Sequence, residues 1–168
     1  ELTKEVIDEN GYFHTGDIGQ FVNGFLKITD RKKEMFKTSG GKYIAPQVME
    51  NKFKESRFIE QLMVIGEGER FPSAIIQPDF LFLEEWCKRK NITYSNFTDL
   101  IKNQTVINRI QEEVDELNQG FPNYEQIKKF ELVDTQWGIP TGELTPTLKL
   151  KRKFILTKYQ HLVDKIYR

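Results

Sequence analysis

Two segments in the first quarter of this 168-residue chain carry residue types that can hold ribose hydroxyls or phosphate oxygens. Thr15-Gly16-Asp17 places a carboxylate directly after a glycine turn, and a carboxylate can accept two hydrogen bonds from a vicinal diol such as ribose. Residues 30–42 hold five cationic side chains around Ser39-Gly40-Gly41, where backbone N–H groups and lysines can bind phosphate. Each segment alone is also typical of a structural loop or a solvated charged linker.

A third segment, 144–154, concentrates positive charge at one point of the chain. Lys149, Lys151, Arg152 and Lys153 crowd the start of a predicted helix, where the macrodipole disfavours cations by several tenths of a kcal/mol each. A sequence selected only for stability would more often place Asp or Glu there. Two explanations remain open at this point, a visiting anion or carboxylates of the same fold.

The elements around the first two segments can be predicted from turn residues. Asn23-Gly24 lies between two short apolar runs in 20–29, and this pair favours a type I′ turn, so we expect a β-hairpin. Gly40-Gly41 marks a loop that can approach a ligand closely. Pro46 can begin a helix with Val48, Met49 and Phe53 on one face.

The rest of the chain alternates strand and helix patterns. We expect strands over 62–65, 73–76 and 127–133, and one amphipathic helix after 151. The pattern over 80–118 is helical and rich in polar residues, and we favour a solvated elaboration there over an interaction surface. Trp137-Gly138 begins the loop that leads to Lys149 and is a candidate brace for it. The sequence therefore predicts a small α+β domain.

Composition excludes several classes of protein. The 25 Lys and Arg balance 25 Asp and Glu, which argues against a nucleic-acid-coating protein. Hydrophobic residues make up 38%, enough for one sizeable core. Cys87 is the single cysteine and, with two histidines, makes a structural zinc site unexpected; it suits a reducing compartment. The sequence has no apolar run near the ~20 residues of a membrane span.

Taken together and in this order, the three segments resemble one family. GYFHTGD (11–17), ITDRKKEMFKTSGGKYIAP (28–46) and LTPTLKLKR (144–152) are similar to the C-terminal part of adenylate-forming enzymes, and most of all to long-chain fatty acid–CoA ligases. Such enzymes convert ATP and a fatty acid to an acyl-adenylate and then transfer the acyl group to coenzyme A. The resemblance covers nearly the whole chain.

The resemblance implies a division of the chain near its first quarter. Residues 1–32 resemble the end of a large N-terminal domain, including a β-hairpin, and 33–168 resemble a small C-terminal cap with a short hairpin, a small mixed sheet and flanking helices. In the family this cap swings between two orientations, one for each half-reaction. Since the sequence starts with Glu1 rather than Met, we expect a piece of a longer chain that does not catalyse the whole reaction alone.

The resemblance also assigns roles to individual residues. Asp17 matches the carboxylate that binds both ribose hydroxyls, and Arg31 matches an arginine that also reaches the ribose. Lys33 matches the hinge position. Lys37 matches a lysine that faces the active site in the thioester-forming orientation, and Gly40-Gly41 matches the glycine turn along the pantetheine path of CoA.

Lys149 matches the lysine of the cap's last loop, three residues before Arg152. Its role in the family is to stabilise negative charge on the α-phosphate during adenylation, a task that suits an ammonium where water is excluded. Lys151 is the rival by proximity. Some members have glycine before this lysine, whereas Leu148 stands there in this chain, as in the long-chain subgroup.

The substrates implied by the resemblance are ATP, a fatty acid and CoA, with Mg²⁺ held by upstream residues and no ligand expected on this piece alone. The implied partner is the protein's own N-terminal domain. Open alternatives are another acid–CoA ligase, a fatty-acyl-AMP ligase, and a non-catalytic nucleotide- or pantetheine-binding module. We expect a cytoplasmic protein, and peripheral association with the inner face of a membrane stays open.

Overall fold

Short strands and helices alternate along residues 6–31 and 34–168, the part of the chain described by a computed structural model. The strands are β1 (Asp17–Val22), β2 (Phe25–Arg31), β3 (Phe36–Lys37), β4 (Tyr43–Ile44), β5 (Ile59–Ile65), β6 (Ser73–Pro78) and β7 (Phe130–Leu132). The helices are α1 (Pro46–Phe53), α2 (Phe80–Lys90), α3 (Phe97–Leu100), α4 (Gln104–Asn118), α5 (Arg152–Lys158) and α6 (Gln160–Tyr167).

A three-stranded mixed sheet forms the centre of the domain. β6 is the middle strand, antiparallel to β5 and parallel to β7. All six residues of β6 are buried because helices cover both faces of the sheet. This arrangement confirms the prediction of a small α+β domain with a mixed sheet, although β7 is shorter than the predicted 127–133.

Successive residues of β5 point to opposite faces and so belong to two different cores. Leu62 and Val64 pack in the larger core with α1, α2 and α4, whereas Met63 and Ile65 pack in the smaller core with α5 and α6. The smaller core consists of apolar residues from the sheet and the C-terminal segment: Met63, Ile65, Ile75, Val133, Trp137, Ile155, Tyr159 and Ile166. The segment that carries Lys149 is therefore attached to the sheet by its own core.

The expectation of a solvated elaboration over 80–118 is wrong. Leu100, Val106, Ile110 and Val114 are fully buried in the larger core, together with Cys87 of α2. The many polar residues of this region occupy the outer faces of helices whose inner faces cover the sheet. The helices are thus part of the fold that supports the site.

Two further predictions need correction. The predicted final helix is two helices, α5 and α6, because Tyr159 leaves the helical conformation (φ −110°, ψ 25°) while its ring packs in the smaller core. In α1, Met49 and Phe53 are buried as predicted, but Val48 is 38% exposed. The buried face of α1 includes Glu50 instead, a charged residue in a core position.

The predicted hairpin is present as β1 and β2. Asn23 and Gly24 have φ of 51° and 83°, the two positive values that a type I′ turn requires. Within the described residues, no helix is long and apolar enough to cross a membrane.

Candidate active site

Lys149 lies on a tight loop whose backbone is fixed by Thr145. Leu144 and Leu150 form an antiparallel bridge that closes the loop. The Thr145 backbone N–H donates to the Lys149 carbonyl at 2.8 Å, and the Lys149 N–H donates to Thr145 Oγ1 at 3.0 Å. Because both backbone groups of Lys149 are hydrogen-bonded to one residue, its Cα has a defined position.

The base of this loop is attached to the smaller core through Glu143. The Glu143 side chain is fully buried, its carboxylate accepts from Lys158 Nζ at 2.5 Å, and its carbonyl accepts from the Lys151 N–H at 2.7 Å. Burial opposes ionisation of Glu143, but the hydrogen bonds to its carboxylate, led by that from Lys158, outweigh burial and lower its pKa. Trp137, the predicted brace, donates from Nε1 to the Tyr159 hydroxyl at 3.1 Å.

The ammonium of Lys149 is exposed and makes no hydrogen bond or ion pair with the residues that the structure describes. The rival Lys151 differs, because its Nζ lies 5.3 Å from the centre of the Phe154 ring, at cation–π distance. Both side chains are exposed, and of the two only the Lys151 ammonium has a ring contact within the described residues.

Arg152 points inward and is held by carboxylates. Its Nη2 donates to Glu50 Oε1 at 2.6 Å, its Nη1 to the Val64 carbonyl at 3.2 Å, and its Nε to Glu34 Oε2 at 3.4 Å. Of the two explanations for the cationic cluster, carboxylates of the fold therefore account for Arg152. Lys149 and Lys151 make no such ion pair within the described residues.

Glu50 is 95% buried and has its pKa raised from 4.5 to about 7. Burial is the largest cause, and the charge of Arg152 and the Val64 N–H, which donates to Glu50 Oε1 at 2.8 Å, oppose it. Glu50 and Arg152 thus form a buried pair between α1, β5 and the start of α5.

An open cleft of about 310 Å³ separates Lys149 from α1. Its lining residues come from the segment before β3, from α1 and the residue after it, from the Lys149 loop and from the start of α5: Glu34, Gln47, Glu50, Asn51, Lys54, Leu148, Lys149, Leu150 and Arg152. Lys149 can therefore extend into solvent on the side of the domain where the polypeptide enters it.

Leu148 has φ of 58°, in the left-handed region that favours glycine. The loop thus keeps, with leucine, the backbone conformation that glycine would adopt without strain. Its side chain is 63% exposed and contributes little burial to offset this strain.

We expect Leu148→Gly to raise the free energy of unfolding by up to about 1 kcal/mol, since relief of the left-handed strain exceeds the entropy that glycine adds to the unfolded chain. Leu148→Val should lower it by about as much, because a β-branched residue fits this conformation less well. Chemical denaturation measures both changes. Leu148→Ala is the control for loss of the exposed side chain; equal stability of the Gly and Ala variants would contradict the strain argument.

The second predicted group, Lys37 and Gly40-Gly41, is brought together by β3 and β4. Gly41 has φ of 78°, and a Cβ there would lie 3.7 Å from Lys37 Cε. The Gly41 N–H donates to the Thr38 carbonyl at 2.9 Å, which closes the turn. Lys37 is exposed, with its Nζ 5.3 Å from the centre of the Tyr43 ring.

The third predicted group lies at the open end of the β1–β2 hairpin. Asp17 and Arg31 are cross-strand partners in its register, and Thr15 Oγ1 accepts from the Asp17 N–H at 3.1 Å. The hairpin therefore places the backbones of the two predicted ribose-binding residues opposite each other. Lys33, the predicted hinge, lies outside the described residues.

Sequence reasoning missed Thr145, Glu143 and Glu50, which hold the lysine loop in place. The signal for Glu50 was available, since a glutamate beside Met49 and before Phe53 occupies the apolar face of α1. Thr145 and Glu143 gave no such signal, because Lys149 becomes a neighbour of Thr145 through the loop geometry and Lys158 a neighbour of Glu143 through the packing of α5.

The described residues include no group of three or more His, Cys, Asp or Glu side chains that could hold a metal ion.

Comparison with known proteins gives consistent results. Residues 34–168 match the family model described as AMP-binding enzyme C-terminal domain. Long-chain-fatty-acid–CoA ligase 5 of Mus musculus is 40% identical over 99% of this chain, and long-chain-fatty-acid–CoA ligase 1 of Homo sapiens is 38% identical over 98%. The chain spans about a quarter of the length of these relatives, 25% and 24%.

A solved structure shares the fold. The A domain of a carboxylic acid reductase from Segniliparus rugosus, in complex with AMP and a co-purified carboxylic acid, superposes with a TM-score of 0.79 at 21% identity. The match covers 99% of this chain and 25% of that one. At this identity the likeness concerns the fold alone, and it agrees with the α+β cap architecture.

Proposed function

Because this chain belongs to the AMP-binding enzyme C-terminal domain family, we propose that it is the cap of an AMP-forming long-chain fatty acid–CoA ligase. In the proposed reaction, a fatty acid carboxylate attacks the α-phosphorus of ATP and releases pyrophosphate. The thiol of CoA then displaces AMP from the acyl-adenylate to give the thioester. The identity of 36–40% to long-chain-fatty-acid–CoA ligases, over nearly the whole chain, supports this choice of substrates.

In this proposal Lys149 serves the first step. Carboxylate attack on phosphorus brings two anions together, and negative charge grows on the phosphoryl oxygens. A positioned ammonium stabilises that charge most where water is excluded. The observation that carries the proposal is the exposed Lys149 side chain on a loop whose backbone is hydrogen-bonded on both sides.

The other predicted residues keep their proposed roles. Asp17 and Arg31 bind the ribose hydroxyls, and their cross-strand register supports a joint site. Lys37 and Gly40-Gly41 line the CoA path in the thioester-forming orientation; the close approach of Lys37 to the glycine turn supports this grouping. Lys33 is the proposed hinge between residues 1–32 and the cap.

The remaining machinery is proposed to lie in residues upstream of this chain. The acyl tunnel, the phosphate-binding loop and the Mg²⁺ ligand belong there, in keeping with a chain that spans about a quarter of its relatives' length. ATP and CoA are substrates of the whole protein. We also propose a cytoplasmic location, on the ground of the single unpaired and buried Cys87. The test below also addresses whether the protein associates peripherally with the inner face of a membrane.

ATP–pyrophosphate exchange by the full-length protein, with fatty acids of graded chain length, tests the function. We expect exchange that requires Mg²⁺ and a long-chain acid, followed by AMP release and thioester formation when CoA is added. Full activity in the supernatant after removal of membranes would argue against peripheral association.

The alternatives give different results in the same assay. Exchange without CoA-dependent turnover would favour a fatty-acyl-AMP ligase, and exchange with short acids only would favour another acid–CoA ligase. Binding of nucleotide with no exchange for any acid would contradict catalysis and favour a binding module.

A further inference from the structure

We infer that Arg152 is a positioning residue for Lys149: the buried Glu50 and the entry residue Glu34 hold the guanidinium that fixes the lysine loop. This inference rests on the proposed function, because it concerns the step that Lys149 serves. It gives the arginine three residues after the lysine a task that involves no contact with the nucleotide.

The geometry of Arg152 suits a structural link, here called the tether, in which its guanidinium is held by protein acceptors rather than by a ligand. Two of its contacts run toward the interior, to Glu50 of α1 and the Val64 carbonyl of β5, and the third is to the partly exposed Glu34. Its side chain is 21% exposed, and that of Glu50 is 7% exposed. A planar guanidinium can meet several acceptors at once in one fixed orientation, which a lysine ammonium cannot do equally well.

Arg152 is linked to Lys149 by a short segment in which Lys149 and Lys151 are hydrogen-bonded through their backbones. Arg152 is the first residue of α5, and Lys151 before it is held by the Glu143 carbonyl. Leu150 is bridged to Leu144, and Lys149 is held by Thr145. A displacement of Arg152 is therefore expected to displace Lys149 as well.

Glu34 extends the tether to the point where the chain enters the cap. It is the first residue that the structure describes after 31, and its carboxylate lies 3.4 Å from Arg152 Nε. The lysine loop and the entry segment are thus held by one guanidinium. A misplacement of about 1 Å at a catalytic group can cost on the order of 10²-fold in rate, so a tether of this kind has a measurable effect.

The test is a double-mutant cycle in the full-length protein with the two half-reactions measured separately. We expect Arg152→Lys to lower the adenylation rate about tenfold or more, and to leave thioester formation from preformed acyl-adenylate within about twofold. In a Lys149→Ala background, Arg152→Lys should cause no further loss, since there is no ammonium left to position. Arg109→Lys is the matched control: Arg109 pairs with Glu112 and Glu113 on α4, its side chain is 29% exposed, and it should affect neither half-reaction.

The possible results separate the inference from the proposed function. Equal losses in both half-reactions, or losses in adenylation that multiply in the double variant, would show a general structural role and overturn the inference alone. Normal adenylation by Lys149→Ala would reject the proposed role of the lysine and the tether with it. If Arg152→Lys does not fold, Glu34→Gln removes one contact of the tether at a partly exposed position; it should give a smaller loss confined to adenylation, and an unchanged ratio of the two half-reactions would overturn the inference.

Discussion

A Lys149→Ala variant of the full-length protein is expected to lose about 10²-fold or more in the rate of acyl-adenylate formation. Its transfer of the acyl group from preformed acyl-adenylate to CoA should be much less affected, because no charge develops on a phosphorus centre under attack in that step. Single-turnover measurement of each half-reaction gives both numbers. The side chain is exposed and makes no contact that the fold needs within the described residues, so the variant should fold normally.

Lys151→Ala is the matched control for this prediction. It removes the same type of charge two residues away and leaves the hydrogen bond from the Lys151 backbone to Glu143 in place. We expect a small effect on adenylation, in keeping with an ammonium already placed over the Phe154 ring. A loss of similar size in both half-reactions of Lys149→Ala, or a larger loss in Lys151→Ala, would contradict the assignment.

Local sequence signals were sufficient to predict the elements that present the site. Asn23-Gly24 predicted the hairpin whose register pairs Asp17 with Arg31, and Pro46 predicted the first residue of α1. These features depend on residues close together in the chain, where turn and helix-start preferences act without tertiary contacts. The hinge at Lys33 and the domain boundary beside it stay predictions.

The errors arose where tertiary packing decided the structure. The polar-rich pattern over 80–118 suggested solvated helices, yet their apolar stripes cover one face of the sheet. The pattern after 151 suggested one helix, but Tyr159 interrupts it to place its ring beside Trp137. The spacing of apolar residues alone shows neither how much of a helix face is buried nor where a helix is interrupted by packing against residues far away in sequence.

The cationic cluster at the site also shows what local sequence predicts and what tertiary contacts decide. The sequence predicted that its charges needed counter-ions, and left a ligand or the fold as the source. The structure divides the cluster: Arg152 binds the carboxylate of Glu50, whereas the Lys149 ammonium is exposed. Cations that are neighbours in sequence thus differ in their partners: one is paired with a carboxylate of the fold, and another is exposed and can bind an anion.

The buried pair has a consequence for stability that can be measured on this chain. The pKa of Glu50 is raised from 4.5 to about 7, mainly by burial, so the folded state holds a proton that the unfolded state has released between these values. Stability contributed by the protonated group is present below pH 4.5 and is lost as the pH rises through about 7. At ~1.4 kcal/mol per pH unit, this amounts to about 3 kcal/mol.

Replacement of Arg152 by alanine should make this loss larger and move it to higher pH. Without the guanidinium, the Glu50 carboxylate is buried with one fewer positive partner, and its pKa rises further above its present value of about 7. We expect Arg152→Ala to lower the free energy of unfolding by up to about 1.4 kcal/mol more at a pH of about 8 than near pH ~5, because between about 7 and 8 only the variant's Glu50 still holds its proton in the folded state. Denaturant unfolding of both proteins across this range gives the difference directly.

The Glu50→Gln variant separates the charge of Glu50 from every other titrating group. Its neutral amide keeps the size of the side chain and can still accept from the Val64 N–H, but it has no proton to lose in this pH range. In the Glu50→Gln background, the effect of Arg152→Ala should therefore be nearly independent of pH, because the remaining cost is that of lost hydrogen bonds and packing alone. If the pH dependence of the Arg152→Ala effect persists in that background, another group causes it, and the buried pair does not set the pH response of this domain.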